Sequence, residues 1–132
     1  MDIQKVMDYW VAEADDALRV MHHLFEKEDY SYALLFGHLA IEKILKAVYV
    51  FRKGEHAPYS HNLERLAIES NIPLPDEKKI TLIRITRYNI ESRYPDDRLE
   101  FRKKCTEEFT KGEMTKIEET YQWLKSMLMY RK

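Results

Sequence analysis

The sequence is short of the residues that bend or cross-link a chain: one cysteine, three glycines and four prolines in 132 residues. A single Cys105 cannot close an internal disulfide, and it suits a reducing compartment. So few glycines and prolines leave little material for the repeated turns of an all-β fold. No apolar stretch is long enough to span a bilayer without charges. The first ten residues, MDIQKVMDYW, have neither a basic leader region nor a continuous apolar one, so no signal peptide is expected and the expected location is the cytoplasm. Net charge is also nearly absent, at −1, which removes any global attraction to nucleic acid or to an anionic membrane. What remains is 45% hydrophobic and 34% charged residues, the balance of a globular domain with a heavily charged exterior. The chain carries no internal repeat, low-complexity tract or linker, so residues 1–132 are expected to form one domain.

The apolar residues are concentrated in residues 30 to 53, YSYALLFGHLAIEKILKAVYVFRK. At 100° per residue, Ala33, Gly37, Ala40, Ile44, Ala47, Val48 and Phe51 share one face, with Leu34, Ile41 and Leu45 beside them. The arc spans about 180°, wider than the stripe of an ordinary surface helix. Such a helix should be covered on more than one side, by its own chain and by a second subunit. Before it, Ile3, Val6, Trp10, Ala14, Ala17, Met21 and Leu24 keep a three/four spacing, which predicts one helix from about Asp2 to Lys27. The charged turn Glu26 to Asp29 is short enough to make these two helices antiparallel neighbours. His22 and His23 are adjacent in sequence, point about 100° apart and form no chelating pair.

Gly54 is suited to cap the central helix. After Pro58, Leu63, Leu66 and Ala67 mark a short helix, with Ser60 or His61 as its expected cap. His56 and His61 have no nearby Cys or second helical His to complete a metal site, so no metal is expected. A further helix is predicted from about Asp76 to Arg93, ended by Pro95. Phe101, Cys105 and Phe109 recur every four residues as another helical stretch. Thr110 and Glu113 form a possible capping box across Gly112, which predicts a break or kink there. The last helix follows, with Met114, Ile117, Tyr121, Leu124 and Leu128 on one stripe.

The helix from Asp76 has one unusual feature. Ile80, Ile83, Arg87, Ile90 and Tyr94 lie on one face, so periodicity assigns a guanidinium to a helix–helix seam. An unpaired cation there is costly and needs a carboxylate, an anion or water. Three readings are open: an Arg87–Glu91 ion pair at an interface, an anion site using Arg84, Arg87 and Arg93, or a solvated side chain at a splayed helix end. Residues 84 to 104 hold seven Arg or Lys against four Asp or Glu, a mildly basic patch. On the central helix, Glu42 and Lys46 have favourable i, i+4 spacing, and His38 precedes Glu42 by one turn.

The segments GHLAIEKILKA (37–47), SHNL (60–63) and SRYPD (92–96), in that order, resemble the HEPN domain family of prokaryotes. The resemblance covers nearly the whole chain. It implies an all-α, up-and-down antiparallel helical bundle with an additional short helix, commonly a homodimer. It also implies a nucleotidyltransferase partner with which many members act as a toxin–antitoxin pair, and a nucleotide-binding role. Active members are metal-independent endoribonucleases with an Arg followed, after four to six residues, by a His. Here the permitted positions beyond Arg87 are Ser92, Arg93 and Tyr94, and beyond Arg84 they are Asn89, Ile90 and Glu91. None is an imidazole, and Arg does not serve as a facile general base near neutral pH.

The sequence therefore predicts a non-catalytic or weakly active HEPN protein that binds a nucleotide or RNA phosphate and works with a nucleotidyltransferase. The alternatives are an endoribonuclease with an atypical active site and a structural dimeric adaptor. The anion-site candidates are Arg84, Arg87 and Arg93. The polar-network candidates are His38, Glu42, Lys43, Lys46, Glu91 and Asp96. No catalytic residue, cofactor or membrane partner is expected.

Overall fold

The computed structural model describes residues 1–128, apart from the side chains of Ser92, Arg93 and Asp96. Six helices follow one another: α1 (Ile3–Glu26), α2 (Tyr30–Lys53), α3 (Leu63–Glu69), α4 (Asp76–Arg93), α5 (Pro95–Lys104) and α6 (Glu107–Ser126). None of the helices among the described residues is long and apolar enough to cross a membrane.

The termini of the first two helices follow from local chemistry. Asp2 caps α1 by accepting a hydrogen bond from the Lys5 N–H at 3.1 Å. The turn into α2 uses Glu28 at φ 64°, and α2 closes on Gly54 at φ 68°, whose N–H returns to the Val50 carbonyl. Gly54 suits this position because a left-handed backbone costs it no Cβ clash. The short helix is capped differently from the expectation: Asn62, not Ser60 or His61, accepts from the Arg65 N–H. His61 is drawn away to a carboxylate on α2.

The central helix packs against α1, α6, α4 and α3. Ala33, Leu34, Ala40, Ile41, Ile44, Leu45, Ala47, Val48 and Val50 are fully buried by this enclosure. Most of the wide apolar arc is thus buried inside one chain, while Leu35, Phe36 and Leu39 of α2 stay partly exposed. Where α2 meets α6, Gly37 removes the obstacle to close approach: a Cβ there would lie 2.5 Å from Ile117 Cδ1 and 3.0 Å from Met21 Sδ.

Two boundaries differ from the sequence reading. Phe101, Cys105 and Phe109 do not share one helix, because the chain breaks at Cys105 and Thr106 caps α6 by accepting from the Phe109 N–H. Gly112 causes no break, and Thr110 and Glu113 are buried within α6 instead of capping it. The face of α4 is also corrected. Leu82, Ile85, Tyr88 and Asn89 turn inward, whereas Ile80, Ile83, Ile90 and Tyr94 are exposed. Periodicity located an apolar stripe correctly, but it lies on the outside of the chain.

The two helical glycines should respond oppositely to substitution. Gly112→Ala meets open space and should stabilise the protein by about 0.5–1 kcal/mol through helix propensity. Gly37→Ala should destabilise it by about 1–3 kcal/mol through overpacking. Adding Ile117→Val removes the clashing methyl, so a double-mutant cycle in urea should show the two changes compensating each other.

Candidate functional site

Two polar constellations lie on opposite sides of α4. The first is centred on Glu42, a carboxylate that the enclosure of α2 removes from water. Its Oε1 accepts from His61 Nδ1 at 2.7 Å and lies 3.3 Å from His38 Nε2. Its Oε2 accepts from Lys46 Nζ at 3.2 Å. Burial acts to raise the Glu42 pKa, but the hydrogen bonds from His38 and His61 and the charge of Lys46 outweigh it and hold the carboxyl at about 2. Lys46 is buried too, with its ammonium 4.9 Å from the Trp10 ring centre and 5.7 Å from that of Tyr59. His38 reaches α4, its Nδ1 at 3.4 Å from the Ile85 carbonyl and its Nε2 at 3.2 Å from Asn89 Nδ2.

Of the predicted network, His38, Glu42 and Lys46 are brought together. Lys43 is not: it pairs with Glu13 of α1 at 3.3 Å and lies over Trp10. Glu91 belongs to the second constellation, and the Asp96 side chain lies outside the described residues. His61 and Asn89 are members that sequence reasoning missed. His61 is 19 positions from Glu42 and joins it only because the loop after Gly54 folds back. The SHNL segment is the available signal, although its spacing marks a helix start equally well.

The second constellation is a groove of about 300 Å³ whose walls include Ile83, Arg84, Arg87, Tyr88, Lys104 and Phe109. Glu113 lies at its floor and anchors one cation firmly. Arg84 Nε meets Oε1 at 2.6 Å and Nη2 meets Oε2 at 2.9 Å, a bidentate pair. The Tyr88 hydroxyl donates to Oε1, and Lys116 Nζ lies 3.4 Å from Oε2. Burial would raise the Glu113 pKa, yet the bonds from Arg84 and Tyr88 prevail and hold the group below the ordinary carboxylate range. Burial and the same carboxylate push the Tyr88 hydroxyl upward, so it stays a donor at neutral pH.

Arg87 differs from Arg84. Its side chain is 71% exposed, and its Nε is 3.7 Å from Glu91 Oε1, beyond hydrogen-bond length. The Arg87–Glu91 pairing exists, but it is a surface contact and not a buried seam. Lys104 is the third groove cation, 5.2 Å from the Phe109 ring centre. A neighbouring hollow shares Arg87 and Glu91 but is walled by Asp97 and Glu100, so an anion is favoured on the Lys104 side. The Arg93 side chain lies outside the described residues.

No histidine faces this groove among the described residues. His38 contacts α4 at Ile85 and Asn89, and Arg87 points about 160–200° away around that helix. The atypical ribonuclease reading needs an imidazole beside Arg87, and the one that contacts α4 lies across it.

Glu113 generates a pH dependence with a definite sign. Its folded pKa is below the unfolded value of about 4.3, so its stabilisation is present above that value and lost as pH falls through the folded pKa. The melting midpoint should therefore drop on acidification below about pH 5. Glu113→Gln should lower stability at pH 7 by about 1–3 kcal/mol, because the buried Tyr88 hydroxyl and the half-exposed Arg84 guanidinium lose a charged, buried acceptor, and should show a shallower acid-side decline. Thermal melts across pH, compared between parent and variant, read both effects.

With that geometry described, comparison with known proteins places the chain. The crystal structure of TT1696 from Thermus thermophilus superposes with a TM-score of 0.78 at 17% sequence identity, over 92% of this chain and 97% of that one. That likeness shows the fold. No curated protein matches the sequence. The profile of the HEPN domain matches residues 7–127, nearly the whole length, and the chain therefore belongs to the HEPN domain family.

Proposed function

We propose that this HEPN protein binds a nucleotide or RNA phosphate in the groove between α4, α5 and α6 without cutting it, and acts with a nucleotidyltransferase partner in a toxin–antitoxin-like pair. The observation that carries the binding reading is the contrast between its two arginines. Arg84 is neutralised and fixed by Glu113, whereas Arg87 is exposed at the rim and, among the described residues, has only a long ion-pair contact to Glu91. A guanidinium in that position can take two phosphate oxygens at once. Lys104 contributes a second cation, and Phe109 offers a ring against which a base can stack. Absence of a His at the permitted spacing from Arg84 or Arg87 supports binding without cleavage. The partnership rests on the family resemblance.

The exposed row of Ile80, Ile83 and Ile90 supports a second element of the proposal, a homodimer formed through α4. Ile80 and Ile83 also line the groove, so a second copy seated there approaches Arg87. This same row favours the structural-adaptor alternative if the interface covers the groove completely.

Arg87→Met separates these readings. It retains much of the side-chain volume and deletes the charge. It should weaken nucleotide or single-stranded RNA binding by about tenfold or more, the value of a charge-assisted hydrogen bond, with little change in melting temperature. Loss of dimerisation in light scattering, with ligand affinity intact, would instead support the adaptor. The parent protein should leave single-stranded RNA uncut. Chelator-insensitive cleavage abolished by Arg87→Ala would overturn the non-catalytic assignment.

A further inference from the structure

The network around Glu42 brings two imidazoles and a carboxylate together within reach of a single ion. His38 is fully buried, and each ring nitrogen faces an oxygen that can only accept, with Nε2 also 3.2 Å from the Asn89 amide nitrogen. Nδ1 faces the Ile85 carbonyl at 3.4 Å, and Nε2 faces Glu42 Oε1 at 3.3 Å. A neutral imidazole has one N–H. With that hydrogen on Nδ1, bonded to the backbone, the Nε2 lone pair lies between Asn89 Nδ2, which can donate to it, and Glu42 Oε1, and is open to a metal ion in place of the amide donor. The same oxygen is 2.7 Å from His61 Nδ1, and the three donor atoms all lie within 4.8 Å of one another.

The geometry points to a binding site for a divalent transition-metal ion, zinc by its donor chemistry, formed by His38 Nε2, Glu42 Oε1 and His61 Nδ1. Four donors around zinc at about 2.0–2.1 Å lie about 3.3 Å apart; His38 Nε2 is already at that spacing from Oε1, at 3.3 Å, and His61 Nδ1, at 2.7 Å, must move outward by about 0.6 Å. Two imidazoles and one carboxylate suit zinc better than magnesium or calcium, which prefer all-oxygen sets. The outer groups are those that orient metal ligands. Ile85 fixes the His38 tautomer through Nδ1, and Lys46 holds Oε2 so that Glu42 offers Oε1 alone. Asn89, 3.2 Å from Nε2, presents a carbonyl oxygen in the same region if its amide is turned over, which supplies a fourth donor. On binding, the proton shared between His61 Nδ1 and Glu42 moves to His61 Nε2 or to solvent.

Lys46 gives the proposal a distinctive sign. Its ammonium repels a dication on the same carboxylate, so removing that charge should tighten metal binding even as it weakens the apo network. The bound ion would join α2 to the loop before α3, with α4 behind it. This site is independent of the arginine groove, which lies across α4.

The test uses full-length protein, stripped with chelator and free of any polyhistidine tag, titrated with cobalt(II) and with zinc. One equivalent of cobalt should produce the visible absorption bands of a four-coordinate ion, and zinc should displace it and raise the melting temperature. His61→Ala, at a partly exposed position, should lose the bands and weaken zinc binding by about tenfold or more while its far-ultraviolet circular dichroism stays that of the folded parent. Lys46→Met should bind zinc more tightly than the parent. No bands and no thermal shift in the parent would overturn the proposal. Binding unchanged by His61→Ala but removed by His22→Ala would also overturn it, assigning the ion to the exposed His22–Glu118 pair.

Discussion

The fold depends on enclosing a helix that is not wholly apolar. Helix α2 is packed on several sides by the rest of the chain, yet His38, Glu42 and Lys46 lie along its buried length. A carboxylate in that position is tolerable only when its oxygens are bonded and its charge balanced. The structure meets this requirement with partners from two other places, His61 from the loop before α3 and Asn89 behind His38 from α4. The polar network consequently specifies how α3 and α4 dock, a positional demand that the aliphatic contacts around it do not impose. Breaking it by removing one member leaves another charge or donor buried without its partner, which is costlier than losing a surface ion pair.

That arrangement also determines which side of α4 meets solvent. Because Ile85 and Asn89 are committed to His38, Arg87 and the isoleucines on the far side face outward. The groove is then completed by α5 and α6, whose meeting places Lys104 and Phe109 opposite Arg84 and Arg87. Glu113, inside α6, fixes Arg84 and Tyr88 at the floor. One buried network thus orients the helix that carries the exposed guanidinium, and a second holds the wall against which a ligand would rest.

Much of this architecture was legible in the sequence, and the failures have physical causes. Apolar spacing and terminal residues located α1, α2 and α4 closely, since caps such as Asp2 and Gly54 act locally. The stripe on α4 was visible, but periodicity does not distinguish a face buried inside the chain from one left for another surface. Thr106 was overlooked as a cap because the four-residue recurrence of Phe101, Cys105 and Phe109 imitates a single helix. His38, Glu42 and Lys46 could be joined by helical spacing alone. His61 and Glu113 could not, because their partners are supplied by long-range packing.

The central functional claim is that a phosphate ligand meets α4 on its outer face, away from the Glu42 network. Methyl-resolved NMR of isoleucine-labelled protein, titrated with a short single-stranded RNA and separately with a nucleoside triphosphate, tests it directly. The account predicts that resonances of Ile80 and Ile83, which line the groove, shift progressively with ligand while those of Ile41 and Ile44 on the buried α2 stay in place. Saturating ligand that moves none of the α4 methyls, or that perturbs Ile41 and Ile44 instead, would contradict it.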